Sequence, residues 1–210
     1  KGTTEGINLI AYSISHLISE NDEIIISYLE HHSNIVPWQM LCERTGAKLK
    51  VIPMDENGVL QMDALENMLS EKTKIVSVNQ VSNALGIINP INEIIAKTRQ
   101  QSDALVVIDG AQSVSHFQID VQKMDCDFFV FSGHKMYAPM GTGILYGKES
   151  ALNKLMPFHG GGEMIATCSF DKTTYADLPF RFEAGTPNVS GNIALGASVD
   201  FIQSIGHEQS

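Results

Sequence analysis

Asp127-Phe128-Phe129-Val130-Phe131-Ser132-Gly133-His134-Lys135 sets an apolar run directly against a polar turn that ends in a lysine. Phe128 to Phe131 has no polar face, the pattern of a strand buried on both sides in a parallel sheet. Upstream, Ala104-Leu105-Val106-Val107-Ile108 is a second such run, and it ends on Asp109. Two parallel strands thus deliver a lysine and a carboxylate to one sheet edge, the edge where α/β proteins bind ligands. A plain Lys–Asp ion pair at that edge accounts for the spacing equally well.

Outward from these two runs, helical and strand patterns alternate. Helical spacing joins Ile7, Ile10, Ala11, Ile14, Leu17 and Ile18, and Glu23 to Tyr28 reads as a strand through Ile24-Ile25-Ile26. Asn34 is placed to cap a helix running to about Thr45, with Gly46 as its stop signal. Lys48 to Pro53 and Lys74 to Val78 read as strands, and Asp63 to Leu69 and Ile91 to Gln101 as helices. Gly143 to Tyr146 reads as an edge or antiparallel strand, followed by a helix from Glu149 to about Leu155. From Pro157 the alternation lapses into loop or hairpin (Gly160-Gly161-Gly162, then Asp171-Lys172-Thr173-Thr174). A tight loop, Phe182 to Asn188, precedes a last helical pattern from Ile193 to Ile205. The expected class is α/β, a three-layer α/β/α arrangement around a mostly parallel sheet.

A net charge of −10 without a Lys/Arg cluster argues against nucleic acid or an anionic membrane as partner. No apolar stretch approaches the roughly 20 residues of a membrane span, and no signal peptide is visible. Cys42, Cys126 and Cys168 show no CxxC spacing, which points to a reducing, cytoplasmic setting. Both ends read as cut: Lys1 stands where a methionine is expected, Gly2-Thr3-Thr4-Glu5-Gly6 already reads as a working loop, and the last helical pattern stops at Ser210.

That first loop opens a helix. Gly2 lets backbone approach an anion, the Thr3 and Thr4 hydroxyls add donors, and a helix N-terminus presents unpaired N–H groups. The loop suits a bound phosphate, while Thr3 or Thr4 as a simple N-cap is the alternative. Ser132 and His134, beside Lys135, are further phosphate contacts. His31, in Glu30-His31-His32 after the first strand, is placed to stack on an aromatic ring and to act as acid or base. A metal is not expected, since adjacent histidines on an extended segment diverge and no third ligand is suitably spaced. Gln112 and Asn83 are candidates for a ring oxygen; either is equally a turn residue. An amine facing a carboxylate able to pair with a pyridinium nitrogen is the combination pyridoxal phosphate (PLP) requires.

Four blocks taken together carry a resemblance: Glu30 to Gln39 (EHHSNIVPWQ), Asp109-Gly110-Ala111-Gln112, Phe131 to Tyr137 (FSGHKMY) and Arg181 to Pro187 (RFEAGTP). They resemble the SufS-type cysteine desulfurases of the class V aminotransferase family, transferases of fold-type I, and the likeness spans the chain in order. It implies a PLP-binding large domain, of which residues 1–210 are most, with an N-terminal segment and a C-terminal small domain outside the chain. It implies a homodimer that takes sulfur from L-cysteine, leaves L-alanine and carries a persulfide to iron–sulfur cluster assembly, with a sulfur acceptor of the SufE or SufU type. By position, Lys135 corresponds to the Schiff-base lysine and Asp109 to the ring-nitrogen partner. His31 corresponds to the stacking histidine, Gln112 to the phenolate contact, and Thr4, Ser132 and His134 to phosphate ligands. Asn83 corresponds to a residue near substrate and ring, and Thr186 to a phosphate contact donated across the dimer.

The chain also departs from that pattern. The family's sulfur-accepting cysteine and its substrate-carboxylate arginine lie downstream of the region given, and Cys42, Cys126 and Cys168 read as structural. This fragment alone is therefore expected to be inactive. Selenocysteine lyase, with L-selenocysteine as substrate, or a kynureninase-like or epimerase-like member is the alternative within PLP chemistry. A nucleotide-binding dehydrogenase domain lacks its GxGxxG, and a non-catalytic binding fragment leaves Lys135, Asp109 and His31 unexplained.

Overall fold

In the computed structural model, which describes residues 1–206, six strands form one sheet in the order β2-β1-β3-β4-β5-β6. They are β1 (Glu23–Ser27), β2 (Lys48–Ile52), β3 (Thr73–Asn79), β4 (Leu105–Asp109), β5 (Phe128–Ser132) and β6 (Gly143–Gly147). The first five are parallel and β6 pairs antiparallel with β5 at the edge. Alternation along each strand splits the side chains between two cores. Ile24, Ile26, Ile75, Leu105, Val107, Phe128 and Val130 face α1 (Thr3–Ser13) and α2 (Val36–Thr45). Ile25, Val76, Val78, Val106, Ile108 and Phe129 face α3 (Met62–Met68) and α4 (Ile91–Gln101). The three-layer α/β/α architecture read from the sequence is the one observed, and strands buried on both faces explain why their sequences show no polar alternation.

After β4 a single turn, α5 (Val121–Met124), is capped by Asp120, whose carboxylate accepts from Gln122 N and Lys123 N. The expected helix from Glu149 to Leu155 is only one turn, α6 (Glu149–Leu152). The Asp171–Thr174 region is the link and start of a hairpin, β7 (Ile165–Cys168) with β8 (Thr173–Tyr175). The last helix, α7 (Val189–Ile205), starts before Ile193 because Asn188 caps it at Gly191 N, and it packs Leu195 and Ile202 against Met136 and Ala138. The first helix stops at Ser13, with a 3-10 turn from Ser15 to Leu17 in place of its expected continuation. Gly46, with φ 78°, closes α2 in the left-handed conformation as its position predicts.

Asn34 does not cap α2. Its amide is committed to a buried network: Oδ1 accepts from Trp38 Nε1 (2.9 Å) and Ser77 Oγ (2.6 Å), and Nδ2 donates to Glu30 Oε2 (2.6 Å). A side chain locked in this way cannot also accept the first-turn N–H groups, and α2 begins at Val36. Glu30 further accepts from Ser27 Oγ and from Asn79 N. The network ties the end of β1 to the end of β3 and fixes the loop between β1 and α2.

Burial pushes the Glu30 carboxyl up to about 8, aided by the charge of Asp109 and opposed by the Ser27, Asn34 and Asn79 donors. The folded state thus keeps a proton that the unfolded chain gives up near the ordinary glutamate value, so this group's contribution is most favourable in acid and is lost as pH rises toward 8. Glu30→Gln removes that dependence. In thermal unfolding, the wild type is expected to lose several degrees relative to Glu30→Gln between pH 5 and pH 8; a difference independent of pH would contradict the assignment.

Candidate active site

Because β1 neighbours both β2 and β3, the chain reverses its direction of travel across the sheet beside β1, and the strand carboxyl ends there open a crevice. A cleft of about 220 Å³ lies at that edge. Its walls come from the loop after β1 (His31, Ser33), from β3 and its loop (Asn79, Asn83), from β4 (Asp109, Ala111, Gln112), from β5 and its turn (Ser132, His134, Lys135), and from the start of α1 (Thr3, Thr4). Thr3, Thr4, His31, Asn83, Asp109, Gln112, Ser132, His134 and Lys135, all singled out in the sequence, line this one cavity. Thr186 does not. It is exposed and lines an adjoining groove with Gly2, Thr142 and Asn188, so one copy of the chain does not bring it to Lys135.

At one end, α1 begins against the last residue of β5. Ser132 Oγ accepts from Thr3 N (2.8 Å) and lies 3.0 Å from Thr3 Oγ1. The N-cap is Gly2, without a side-chain cap bond, so neither Thr3 nor Thr4 caps the helix. At φ 140° Gly2 is in a conformation that L side chains rarely adopt, and a Cβ there would sit 2.8 Å from Ser132 Oγ. Bare backbone, the first-turn N–H groups of α1 and the hydroxyls of Thr4 and Ser132 are the groups at this end that could hold an anion.

At the other end stands Asp109, 4% exposed, with Oδ1 accepting from Ala111 N at 2.9 Å. Burial raises its carboxyl above the usual aspartate range, against the Ala111 N–H and the positive charges of Lys135 and His31. Those charges act from a distance. Among the described residues neither Lys135 nor Asp109 is in an ion pair, so the direct Lys–Asp bridge that the spacing also allowed is not formed. Lys135, half-buried in the 3-10 turn Gly133–Met136, offers an amine uncommitted among the described residues, and Asp109 offers a carboxyl that a cation in the cleft would ionise.

His31 closes a third side. Its Nδ1 accepts from Ser33 N (3.1 Å) and lies 2.7 Å from Ser33 Oγ. The chain bends into a 3-10 turn at His32, and the His31 and His32 rings stand 5.8 Å apart, tilted by 41°, rather than on opposite sides of an extended segment. Ser33, Asn79 and Ala111 also line the cleft and were not singled out. Asn79 carried a legible signal, since it ends a buried strand on the same edge as Asp109; Ser33 carried none beyond its nearness to His31. The cysteines stand apart from the cleft. Burial, with the charge of Asp127, pushes the Cys126 thiol up to about 11; burial also raises that of Cys42; and Cys168 is exposed on the hairpin.

Among the described residues no helix is long and apolar enough to cross a membrane. The chain is 54% identical over 208 residues to a cysteine desulfurase of Enterobacter sp. (strain 638), covering 98% of this chain and 51% of that protein. It superposes with a TM-score of 0.96 and 39% identity on the crystal structure of the cysteine desulfurase CsdA from Escherichia coli, covering all of this chain and 52% of that one. A C-DES mutant with glycine covalently linked to its PLP cofactor matches at a TM-score of 0.86 and 25% identity, over 98% of this chain and 55% of that one. The chain thus spans about half the length of these relatives. The aminotransferase class-V family profile matches residues 1–210, without a gap at either end, and the chain belongs to that family.

Proposed function

We propose that the protein containing this chain is a PLP-dependent cysteine desulfurase, which takes sulfur from L-cysteine, leaves L-alanine and holds the sulfur as a persulfide for iron–sulfur cluster assembly. One observation carries the reading: an uncommitted amine, a buried unpaired carboxyl and an anion-binding helix start share one cleft. Each matches a part of that cofactor, and relatives named as desulfurases support the substrate.

Thr4, Ser132, His134 and the α1 N-terminus would hold the phosphate, Asp109 the ring nitrogen, Gln112 the phenolate oxygen and Lys135 the covalent tether, with His31 over the ring and Asn83 beside the substrate. When bound, PLP supplies an electron sink for charge developing at an amino acid's α-carbon. Asp109 would keep a proton on the ring nitrogen, since an opposite charge nearby favours the charged form of each partner. Lys135 Nζ would carry the proton lost at the α-carbon. His31 exchanges a proton at the substrate.

The chain then supplies most of the large domain. The sulfur-accepting cysteine and the arginine for the substrate carboxylate are assigned to the rest of the protein, in keeping with the unreactive settings of Cys42 and Cys126. Thr186, outside the cleft of its own chain, is assigned to the partner subunit's phosphate in a homodimer. A SufE- or SufU-type acceptor and a reducing cytoplasm complete the reading, which the three free cysteines fit.

In the full-length protein, a yellow colour is expected whose reduction with borohydride fixes the cofactor covalently to the chain at Lys135, and Lys135→Ala should abolish that covalent fixation. Alanine formation from L-cysteine should fall by at least about 10²–10⁴-fold in the same variant. A Lys135→Ala protein that keeps its rate would refute the reading; alanine release only from L-selenocysteine would correct the substrate. Asp109→Asn is expected to retain the cofactor while losing most of the activity, because an amide cannot hold the ring proton. Activity equal to wild type in Asp109→Asn would count against that role.

A further inference from the structure

The side chain and the backbone of Ser33 address one atom, His31 Nδ1, at 2.7 Å and 3.1 Å. A backbone N–H can only donate, so Nδ1 is the acceptor in the neutral ring and the proton sits on Nε2. Among the described residues Nε2 has no hydrogen-bond partner, while its ring lines the cleft. Protonation reverses the demand at Nδ1. An imidazolium donates from both nitrogens, and the Ser33 N–H cannot accept, whereas a hydroxyl oxygen can once its hydrogen rotates away.

We propose that Ser33 is a positioning residue for His31: its hydroxyl changes from donor to acceptor as the ring gains a proton, holding one ring orientation in both charge states so that Nε2 can take up and release a proton. The proposal rests on the reading of His31 as an acid/base group. Ser33 itself is buried at 9% exposure, and the turn that carries it is pinned by the next residue, Asn34, through Glu30, Ser77 and Trp38. The charged and titratable groups around His31 are Asp109 from β4, Lys135 and His134 from the turn after β5, and Tyr28, Glu30 and His32 from its own loop. Asp109 favours the imidazolium and Lys135 opposes it. Neither is hydrogen-bonded to Nδ1, so the local choice of proton acceptor falls to Ser33.

The test is an NMR titration of ¹⁵N-labelled histidine rings in the full-length, cofactor-free protein. Ser33→Ala is expected to lower the His31 midpoint by about one pH unit, the scale on which a hydrogen bond to a charged ring exceeds one to a neutral ring. It should leave the neutral ring as the Nε2–H tautomer, because the backbone N–H remains. Ser33→Thr, which restores a hydroxyl, should restore the midpoint. An unchanged midpoint in Ser33→Ala overturns the proposal, as does a Thr variant that behaves like Ala. In the cofactor-loaded enzyme the pH profile of alanine formation should move with the ring. A shifted ring with an unmoved profile would sustain the role of Ser33 and refute that of His31 in the reaction.

Discussion

Asp109 is a carboxyl at the end of a strand buried on both faces, and no cation of the described chain touches it. One backbone N–H, from Ala111, reaches its Oδ1, while Lys135 and His31 act only through space. Burial without a cation in contact disfavours the charged form of a carboxyl, which is why that of Asp109 lies above the usual aspartate range. The surrounding architecture holds that group at the cleft with no cation of the described residues against it: β3 and β5 flank it in register, and the Lys135 amine is held in a separate turn, outside ion-pair reach.

The two ends of the cleft are mechanically one piece. Ser132 is both the last residue of β5 and the group that anchors the first turn of α1 through Thr3, and Lys135 follows three residues later. An anion held at the helix start would therefore sit at a fixed distance from the amine. On the opposite side, the Glu30–Asn34–Asn79 network ties the β1 loop to the end of β3, so His31 is carried on a rigid segment rather than a free loop. That rigidity comes from a buried Glu30 carboxyl that accepts from Ser27, Asn34 and Asn79 at once.

Much of this was legible in the chain because strands buried on both faces leave runs that cannot be mistaken. Phe128 to Phe131 and Leu105 to Ile108 locate the sheet, and the first polar residues after them, Ser132 and Asp109, locate the edge. The antiparallel edge strand after Gly143 and the stop at Gly46 were readable from local pattern as well. What stayed hidden depended on partners distant in sequence. Asn34 looks like a helix cap until Trp38, Ser77 and Glu30 are seen to claim it. Whether Lys135 and Asp109 form a bridge or face a cavity is a question of a few ångströms that spacing cannot answer. Thr186 sits in a block as recognisable as any other, yet lies in a neighbouring groove of its own chain.

The central claim is that Lys135 and Asp109 are two sides of one cofactor site. A crystal structure of the full-length protein grown with PLP tests it most directly. Unbroken electron density from Lys135 Nζ to the cofactor is predicted, with the Asp109 carboxylate hydrogen-bonded to its ring nitrogen and the phosphate against Thr4 and Ser132. A cofactor bound elsewhere, or a Lys135 amine paired directly with Asp109 and nothing between them, would contradict it.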